Sequence, residues 1–86
     1  MKNWHVYLVR CADGTLYCGA TNDLPKRLRA HNEGKGATYT RGRRPVRLEA
    51  CSGAMTRSEA LRLEMKVKGA PRRKKIYVIG DAGRQG

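Results

Sequence analysis

The feature that most constrains the fold is a pair of apolar runs near the N-terminus, at residues 4–11 and 15–21, separated by Ala12-Asp13-Gly14. Both runs are rich in β-branched and aromatic residues, which is typical of strands, and Asp-Gly is a frequent hairpin turn. The pattern therefore predicts an antiparallel hairpin. Its register stays open, because the turn can contain two or three residues.

The length of this turn decides whether two tyrosines share one face of the hairpin. With a two-residue turn, Tyr17 pairs with Arg10, and Tyr7 and Tyr17 point to opposite faces because strand side chains alternate. With a three-residue turn closed by Gly14 in the left-handed conformation, Tyr7 faces Gly19. Both rings then lie on one face, and the missing side chain of Gly19 leaves an opening beside Tyr7.

The segment after the hairpin, TNDLPKRLRAHNEGKG, predicts a helix. Asn22 or Asp23 provides the N-cap, the following proline is tolerated in the first turn, and the helix ends near Gly34. At about 100° per residue, Arg27 and His31 lie one turn apart and border the apolar face. We expect both side chains to lean toward the core, where a lone histidine usually has a structural role.

Residues 34–47 are rich in glycine and basic side chains, which predicts a mobile loop that contacts phosphate groups. Tyr39 in this loop either stacks on a nucleobase or packs at the edge of the fold. Residues 46–52 alternate in polarity and predict a third strand. The candidate substrate-binding residues of the loop are Lys35, Tyr39, Arg41, Arg43 and Arg44.

Residues 56–68, TRSEALRLEMKVK, are the clearest helix, and Thr56 followed by Glu59 is a capping box. A broad apolar face is expected on this helix, formed by Ala60, Leu61, Leu63, Met65 and Val67. Glu64 falls in the middle of that face, and a buried carboxylate needs a cation or hydrogen-bond donors. Glu64 is therefore either a metal ligand or one half of a buried ion pair, with Arg27 as the candidate partner.

The C-terminal part predicts one further element. Pro71 is expected to open a short basic helix that runs to about Ile79, and residues 80–86 form a frayed tail. A chain of 86 residues fits one domain. We therefore expect a single domain over residues 1–86 with its core at about 4–79.

The net charge of +12 is distributed unevenly along the chain. Residues 1–33 carry five basic and three acidic groups, and residues 34–86 carry fourteen basic and four acidic groups. Such a field favours a polyanionic partner, nucleic acid above all. Charge alone does not separate binding from catalysis, and a merely soluble basic protein shows the same balance.

The cysteines and the hydropathy exclude several classes of protein. Cys11, Cys18 and Cys51 are odd in number and lack C-x-x-C spacing, so we expect neither disulfides nor a zinc site but small buried apolar residues. No apolar run approaches the roughly 18 residues of a membrane-spanning helix. No secretory signal pattern precedes the first strand. We expect a cytoplasmic protein without a membrane partner.

Five short segments, in this order and spacing, resemble the GIY-YIG nuclease superfamily: HVY, YCG, DLPKRLRAH, GKGATYTRGRRPV and RSEALRLEMKVK. The resemblance covers about residues 4–79 and is strongest to the small, stand-alone bacterial branch related to the nuclease domain of the excision-repair endonuclease. It implies an α+β fold, with a three-stranded antiparallel sheet flanked by helices and both tyrosines on one face. His5 and Cys18 depart from the Gly and Ile of the motif that names the family.

The resemblance also implies a catalytic site, with Gly19 shaping its pocket. Glu64 would hold one divalent cation, Mg²⁺ or Mn²⁺, because Mg²⁺ accepts a single protein carboxylate beside waters and phosphate oxygens. Arg27 would bind phosphate oxygens. One tyrosine would be the general base, Tyr7 before Tyr17, and a histidine would orient a tyrosine or the phosphate. The catalytic set implied in this way is Tyr7, Tyr17, Arg27, His31 and Glu64.

These observations favour a metal-dependent endonuclease that hydrolyses DNA, with RNA as a second substrate class. The alternative is a non-catalytic, basic nucleic-acid-binding module on the same fold. A third interpretation is a small protein that docks on another enzyme or on ribosomal RNA. The oligomeric state stays open, and a dimer would enlarge the small binding surface of such a short chain.

Overall fold

The computed structural model describes the backbone of residues 1–84 and the side chains of residues 1–80. The three strands, β1 (His5–Arg10), β2 (Leu16–Thr21) and β3 (Arg47–Cys51), form one antiparallel sheet in the order β2-β1-β3. The predicted α+β fold with a three-stranded antiparallel sheet is confirmed. The elements are, in chain order, β1 (His5–Arg10), β2 (Leu16–Thr21), α1 (Leu24–Asn32), α2 (Thr38–Arg41), β3 (Arg47–Cys51), α3 (Arg57–Gly69) and α4 (Arg72–Arg84).

The β1–β2 hairpin adopts the register of the three-residue turn. Gly14 closes the turn with a φ of 85°, in the left-handed region that glycine tolerates. Tyr7 is the partner of Gly19 across the two strands, and Val9 is the partner of Tyr17. Tyr7 and Tyr17 therefore lie on the same face of the sheet, as the odd turn length requires.

The two faces of the sheet carry separate apolar clusters, because successive side chains along β1 point in opposite directions. Helices α3 and α4 supply one cluster together with the strands; its buried members are Val6, Leu8, Cys18, Ala60, Leu63, Val67 and Ile79. Helix α1 covers the opposite face, where Tyr7, Val9, Cys11 and Val46 are buried and Tyr17, Leu24 and Leu28 pack against them.

Both long predicted helices begin where the sequence indicated. Asp23 caps α1, with its side chain accepting from the backbone N–H of Lys26, and Glu33 and Gly34 follow its last turn. The capping box of α3 is formed in both directions between Thr56 and Glu59. These local signals act within one turn of the chain, so they need no tertiary context.

The apolar face predicted for α3 is too broad. The buried residues of this helix are Ala60, Leu63 and Val67, whereas Leu61 and Met65 are 42% and 74% exposed. The buried positions follow the spacing of three and four residues that one packed stripe of a helix requires. The prediction was wrong at Leu61 and Met65, because α3 buries only this narrower stripe.

Two further expectations differ from the structure. Residues 34–47 are not a loop throughout, because they contain the short helix α2, whose Thr40 hydroxyl donates to the carbonyl of Ala37. The three cysteines are free, but Cys51 is exposed at the end of β3 rather than buried. Cys51 is the last residue of β3, which lies at an edge of the sheet.

The last helix is longer than predicted. Helix α4 runs from Arg72 to Arg84, past the expected end near Ile79. Ile79 is fully buried and anchors this part of the helix, and the Gly80 that follows lowers helix propensity by only about 1 kcal/mol. Residues 85–86 of the expected tail lie outside the described residues.

Within residues 1–84, no helix combines the length and the apolar character needed to cross a membrane.

Candidate active site

A chain of hydrogen bonds runs from Tyr7 of β1 through His31 of α1 to Thr40 of α2. The Tyr7 hydroxyl lies 2.8 Å from Nε2 of His31, and Nδ1 of His31 lies 2.8 Å from Oγ1 of Thr40. Thr40 has one hydroxyl proton, which it donates to the carbonyl of Ala37 at 3.0 Å. Its oxygen must therefore accept from Nδ1–H of His31. In this tautomer Nε2 carries the lone pair and accepts the proton of the Tyr7 hydroxyl.

Burial keeps both central members of this chain neutral. Tyr7 and His31 are 1% and 0% exposed. Burial raises the pKa of Tyr7 above its ordinary value of 10, and the nearby Arg27 partly offsets that effect. Burial also lowers the pKa of His31 below 6.5, and the charge of Arg27 lowers it further. At neutral pH the histidine is therefore a neutral proton acceptor and the phenol a neutral donor.

Arg27 and Gly19 contact the Tyr7 phenol from two other directions. Nε of Arg27 donates to the Tyr7 oxygen over a long distance of 3.4 Å. A Cβ atom at Gly19 would overlap the hydroxyl end of the Tyr7 ring. The opening expected beside Tyr7 is therefore filled by the phenol itself, and glycine is needed there for close packing.

Tyr17 and Tyr39 extend the site away from the buried chain. The Tyr17 ring meets the His31 ring edge-on, with centroids 5.5 Å apart, and stacks on Tyr39 at 5.8 Å and 25°. The Arg43 guanidinium lies 4.1 Å from the centroid of Tyr39 and pairs with Asp13 at 3.0 Å. Tyr39 thus packs against Tyr17 and is still 38% exposed, so stacking on a nucleobase stays a prediction.

Glu64 lies at the border of this group, one helical turn before Lys68. Its Oε2 is 3.2 Å from Nζ of Lys68, which is 5.9 Å from the centroid of the Tyr17 ring. The Glu64 side chain is 19% exposed. Glu64 pairs with Lys68, so the suggested ion pair with Arg27 is wrong, and the role of Glu64 as a metal ligand stays a prediction.

Two pKa shifts report the charges around Glu64. Partial burial lowers the pKa of Lys68, but the hydrogen bond and the charge of Glu64 outweigh burial and raise it above 10.5. Burial, followed by the charge of Glu64, raises the pKa of Cys18 to about 11. Glu64 thus sits close to β2, with Lys68 protonated and the Cys18 thiol neutral at physiological pH.

The donor set around Glu64 fits only one kind of metal site. Among the side chains that the structure describes, no group of three or more His, Cys, Asp and Glu residues could hold a metal ion. A closed protein cage is therefore not available in this part of the chain. A single carboxylate such as Glu64 suits a cation that keeps several waters and takes its other ligands from phosphate oxygens, as Mg²⁺ does.

The remaining predicted substrate-binding residues lie on α2 and its flanks. Lys35 and Arg41 are exposed. The Arg44 guanidinium packs against Gly34 and donates to the carbonyl of Arg41 at 2.8 Å. Their role in binding stays a prediction.

No pattern in the sequence indicates Thr40 as a site residue, because its contact with His31 depends on how α2 packs against α1. The Asp-Gly pattern predicts Asp13 as a turn residue only, but its carboxylate also accepts a hydrogen bond from Nε of Arg43. The contact between Glu64 and Lys68 could have been predicted from the sequence, since Lys68 follows Glu64 by four residues on a predicted helix.

Comparison with known proteins gives a consistent result. The model of the GIY-YIG catalytic domain family matches residues 3–77. A UPF0213 protein of Nitratidesulfovibrio vulgaris is 48% identical over 80 residues, which cover 93% of this chain and 73% of that protein. A UPF0213 protein of Bacillus pumilus is 52% identical over 79 residues, or 92% and 81% of the two chains. The solution NMR structure of a UPF0213 protein from Bacillus halodurans matches with a TM-score of 0.54 and 44% identity, covering 93% and 85%.

Proposed function

We propose that this chain, which belongs to the GIY-YIG catalytic domain family of nucleases, is a metal-dependent endonuclease that hydrolyses phosphodiester bonds of DNA. The observation that carries the proposal is the buried hydrogen-bond chain from Tyr7 through His31 to Thr40. A phenol that only packed in the core would need one partner. Here the phenol oxygen has a proton acceptor on one side and an arginine on the other.

In this proposal Tyr7 is the general base that takes a proton from the attacking water. A neutral phenol cannot accept that proton until it gives up its own, and its ordinary pKa of about 10 makes this difficult at neutral pH. Nε2 of His31 receives the Tyr7 proton as the phenol oxygen receives one from water. Thr40 keeps the histidine proton on Nδ1, so that Nε2 is free to accept.

Arg27 assists the proton transfer from water to Tyr7, because its guanidinium lies beside the Tyr7 oxygen. Its guanidinium is suited to two phosphate oxygens at once. When Arg27 turns from the Tyr7 oxygen toward a phosphate, it uncovers that oxygen for the water beside the phosphorus. Tyr17, which is partly exposed next to the His31 ring, then orients the water or the phosphate.

Glu64 is the proposed ligand of one divalent cation, Mg²⁺ or Mn²⁺. When bound, such an ion neutralises charge on the phosphate and assists the leaving oxygen. The basic side chains of residues 34–86 hold the remainder of the nucleic-acid backbone, and this contribution should fall steeply with added salt.

A second candidate function is favoured by one observation, the charge balance of nineteen basic and seven acidic residues. A non-catalytic module that binds nucleic acid through this charge alone needs no proton acceptor for Tyr7. It would bind DNA and RNA with a steep salt dependence and would release them unchanged.

The test is incubation of the protein with branched, nicked and single-stranded DNA and with RNA, in Mg²⁺, Mn²⁺ or EDTA. Arg27→Ala is compared with Arg29→Ala, which removes an exposed arginine of the same helix. We expect metal-dependent cleavage by the wild type and Arg29→Ala, and a loss of about 100-fold or more for Arg27→Ala. Cleavage at the same rate in Arg27→Ala contradicts the proposed site, and binding without any cleavage supports the second candidate.

A further inference from the structure

The ammonium group of Lys68 joins the candidate metal ligand to the aromatic part of the site. Nζ of Lys68 is 3.2 Å from Oε2 of Glu64 and 5.9 Å from the centroid of the Tyr17 ring. The Lys68 side chain is 53% exposed, whereas that of Glu64 is 19% exposed. The carboxylate is thus held near the sheet, and the lysine reaches over it from the solvent side.

This arrangement places a monovalent cation on the carboxylate that is proposed to coordinate a divalent one. Two cations at the same carboxylate oxygen repel each other, and the repulsion is stronger for a doubly charged ion. The lysine has a flexible four-carbon stem, so its head can leave without any change in α3. In a complex with DNA, a backbone phosphate is an anion to which the released ammonium group can bind.

We propose that Lys68 is a phosphate-binding residue of the site, which pairs with Glu64 in the free protein and transfers to the substrate phosphate when Glu64 coordinates a divalent cation. This inference rests on the proposed function, because it assigns a role next to the same metal ligand. In the free protein Lys68 occupies Glu64 and weakens metal binding. In the complex it adds a positive charge to the phosphate, so metal and DNA bind better together than apart.

The competing explanation is an ordinary pair of charges one turn apart on a helix. Such a pair stabilises an exposed helix only slightly, and the order with Glu before Lys is the favourable one. An ordinary pair would change thermal stability a little when it is removed. It would not make the affinity for DNA depend on the metal.

The test compares Lys68→Gln with Lys66→Gln, which removes an exposed lysine of the same helix and changes the net charge equally. The first measurement is titration of each protein with Mn²⁺ alone by calorimetry. We expect Lys68→Gln to bind Mn²⁺ several-fold more tightly than the wild type, and Lys66→Gln to match the wild type. The second is the affinity for a branched DNA at one ionic strength, in Ca²⁺ and in EDTA.

In the DNA measurement, we expect Lys68→Gln to lose at least fivefold more affinity than Lys66→Gln in Ca²⁺, and to match it in EDTA. Any of three results overturns the inference. These are equal Mn²⁺ affinity in the two variants, equal DNA affinity of the two variants in Ca²⁺, and no Mn²⁺ binding by any of the proteins. Cleavage by the wild type together with equal behaviour of the two variants rejects the role of Lys68 and leaves the proposed nuclease intact. Failure of the wild type to cleave any substrate rejects the nuclease, while the Mn²⁺ and DNA titrations still decide the role of Lys68.

Discussion

The hydroxyl of Tyr7 donates its proton to Nε2 of His31 at 2.8 Å, inside the core and on the sheet face that α1 covers. Both residues are almost completely buried, and both of their polar ends are satisfied. The direction of this bond is fixed by Thr40, which can only accept from the other ring nitrogen. The proposed proton transfer from the phenol to the imidazole therefore follows an existing hydrogen bond, and it requires only that the Tyr7 oxygen be uncovered for the attacking water.

The first prediction concerns the Tyr7 hydroxyl. Tyr7→Phe removes the donor to Nε2 of His31 and leaves that buried nitrogen without its partner, so the free energy of unfolding should fall by about 1–3 kcal/mol. Cleavage should fall by about 100-fold or more, the usual effect of losing a general base. Tyr77→Phe is the matched control, because Tyr77 is 75% exposed. Urea unfolding and single-turnover cleavage measure the two effects, and cleavage by Tyr7→Phe at the wild-type rate rules out Tyr7 as the base.

The second prediction concerns the tautomer of His31. Thr40→Val removes the acceptor for Nδ1–H while keeping the size of the side chain, whereas Thr40→Ser keeps the hydroxyl. We expect ¹⁵N NMR to show Nδ1–H of His31 in the wild type and in Thr40→Ser, and a mixture of tautomers in Thr40→Val. The cleavage rate should depend on the fraction of His31 that carries its proton on Nδ1, so Thr40→Ser should cleave DNA much faster than Thr40→Val. A wild-type spectrum with the proton on Nε2 would reverse the direction of the whole chain.

The third prediction concerns the contact between Gly19 and Tyr7. A Cβ atom at Gly19 would overlap the Tyr7 phenol, so Gly19→Ala forces the ring away from His31. We expect both lower stability and loss of cleavage. Gly42→Ala is the control, because a Cβ at Gly42 meets nothing within 4 Å and its φ is −90°. If Gly19→Ala unfolds at the same urea concentration as Gly42→Ala, the ring is not packed against the backbone as described.

The fourth prediction concerns stability as the pH decreases below 6.5. The pKa of His31 is below 6.5 in the folded protein, mainly because of burial, and close to 6.5 when the chain is unfolded. The unfolded chain therefore binds more protons in this window, so stability falls as the pH decreases through it, by at most about 1.4 kcal/mol per pH unit. The carboxyl groups of Asp13, Glu49 and Glu59 have lowered pKa values and act at more acidic pH.

Urea unfolding at pH 7.5, 6.5 and 5.5 measures this slope for the wild type, His31→Gln and His5→Gln. The slope should disappear in His31→Gln and persist in His5→Gln, which removes the other histidine of the chain. A slope that persists unchanged in His31→Gln would mean that another group is responsible.

The sequence predicted the parts of the structure that depend on neighbouring residues. The hairpin, the cap of α1 at Asp23 and the capping box of α3 each follow from contacts within a few residues. The turn length did not follow, since both registers satisfied the local pattern. It decides whether Tyr7 and Tyr17 share a face, and only pairing across the sheet selects it.

The candidate site was predicted less completely, because its members meet through tertiary contacts. Helical spacing correctly placed Arg27 and His31 toward the core, but it gave Glu64 the wrong partner and missed the contact of His31 with Thr40. Thr40 lies on α2, in a segment whose glycines and basic residues indicated a loop. Residues 33–37, which separate α1 from α2, have no regular structure, so no periodic pattern in the sequence relates His31 to Thr40.

The most direct test of the Tyr7–His31 proton transfer is the pH dependence of single-turnover DNA cleavage in Mg²⁺, for the wild type and His31→Gln. The account predicts a wild-type rate that is constant near neutral pH and falls at acidic pH, below the ordinary histidine pKa of 6.5, because burial lowers the pKa of His31 and protonation of its imidazole removes the proton acceptor. His31→Gln should cleave at least about 100-fold more slowly than the wild type, and its rate should not fall at acidic pH in this way. Cleavage by His31→Gln at the wild-type rate, with the same acidic limb, would contradict the account.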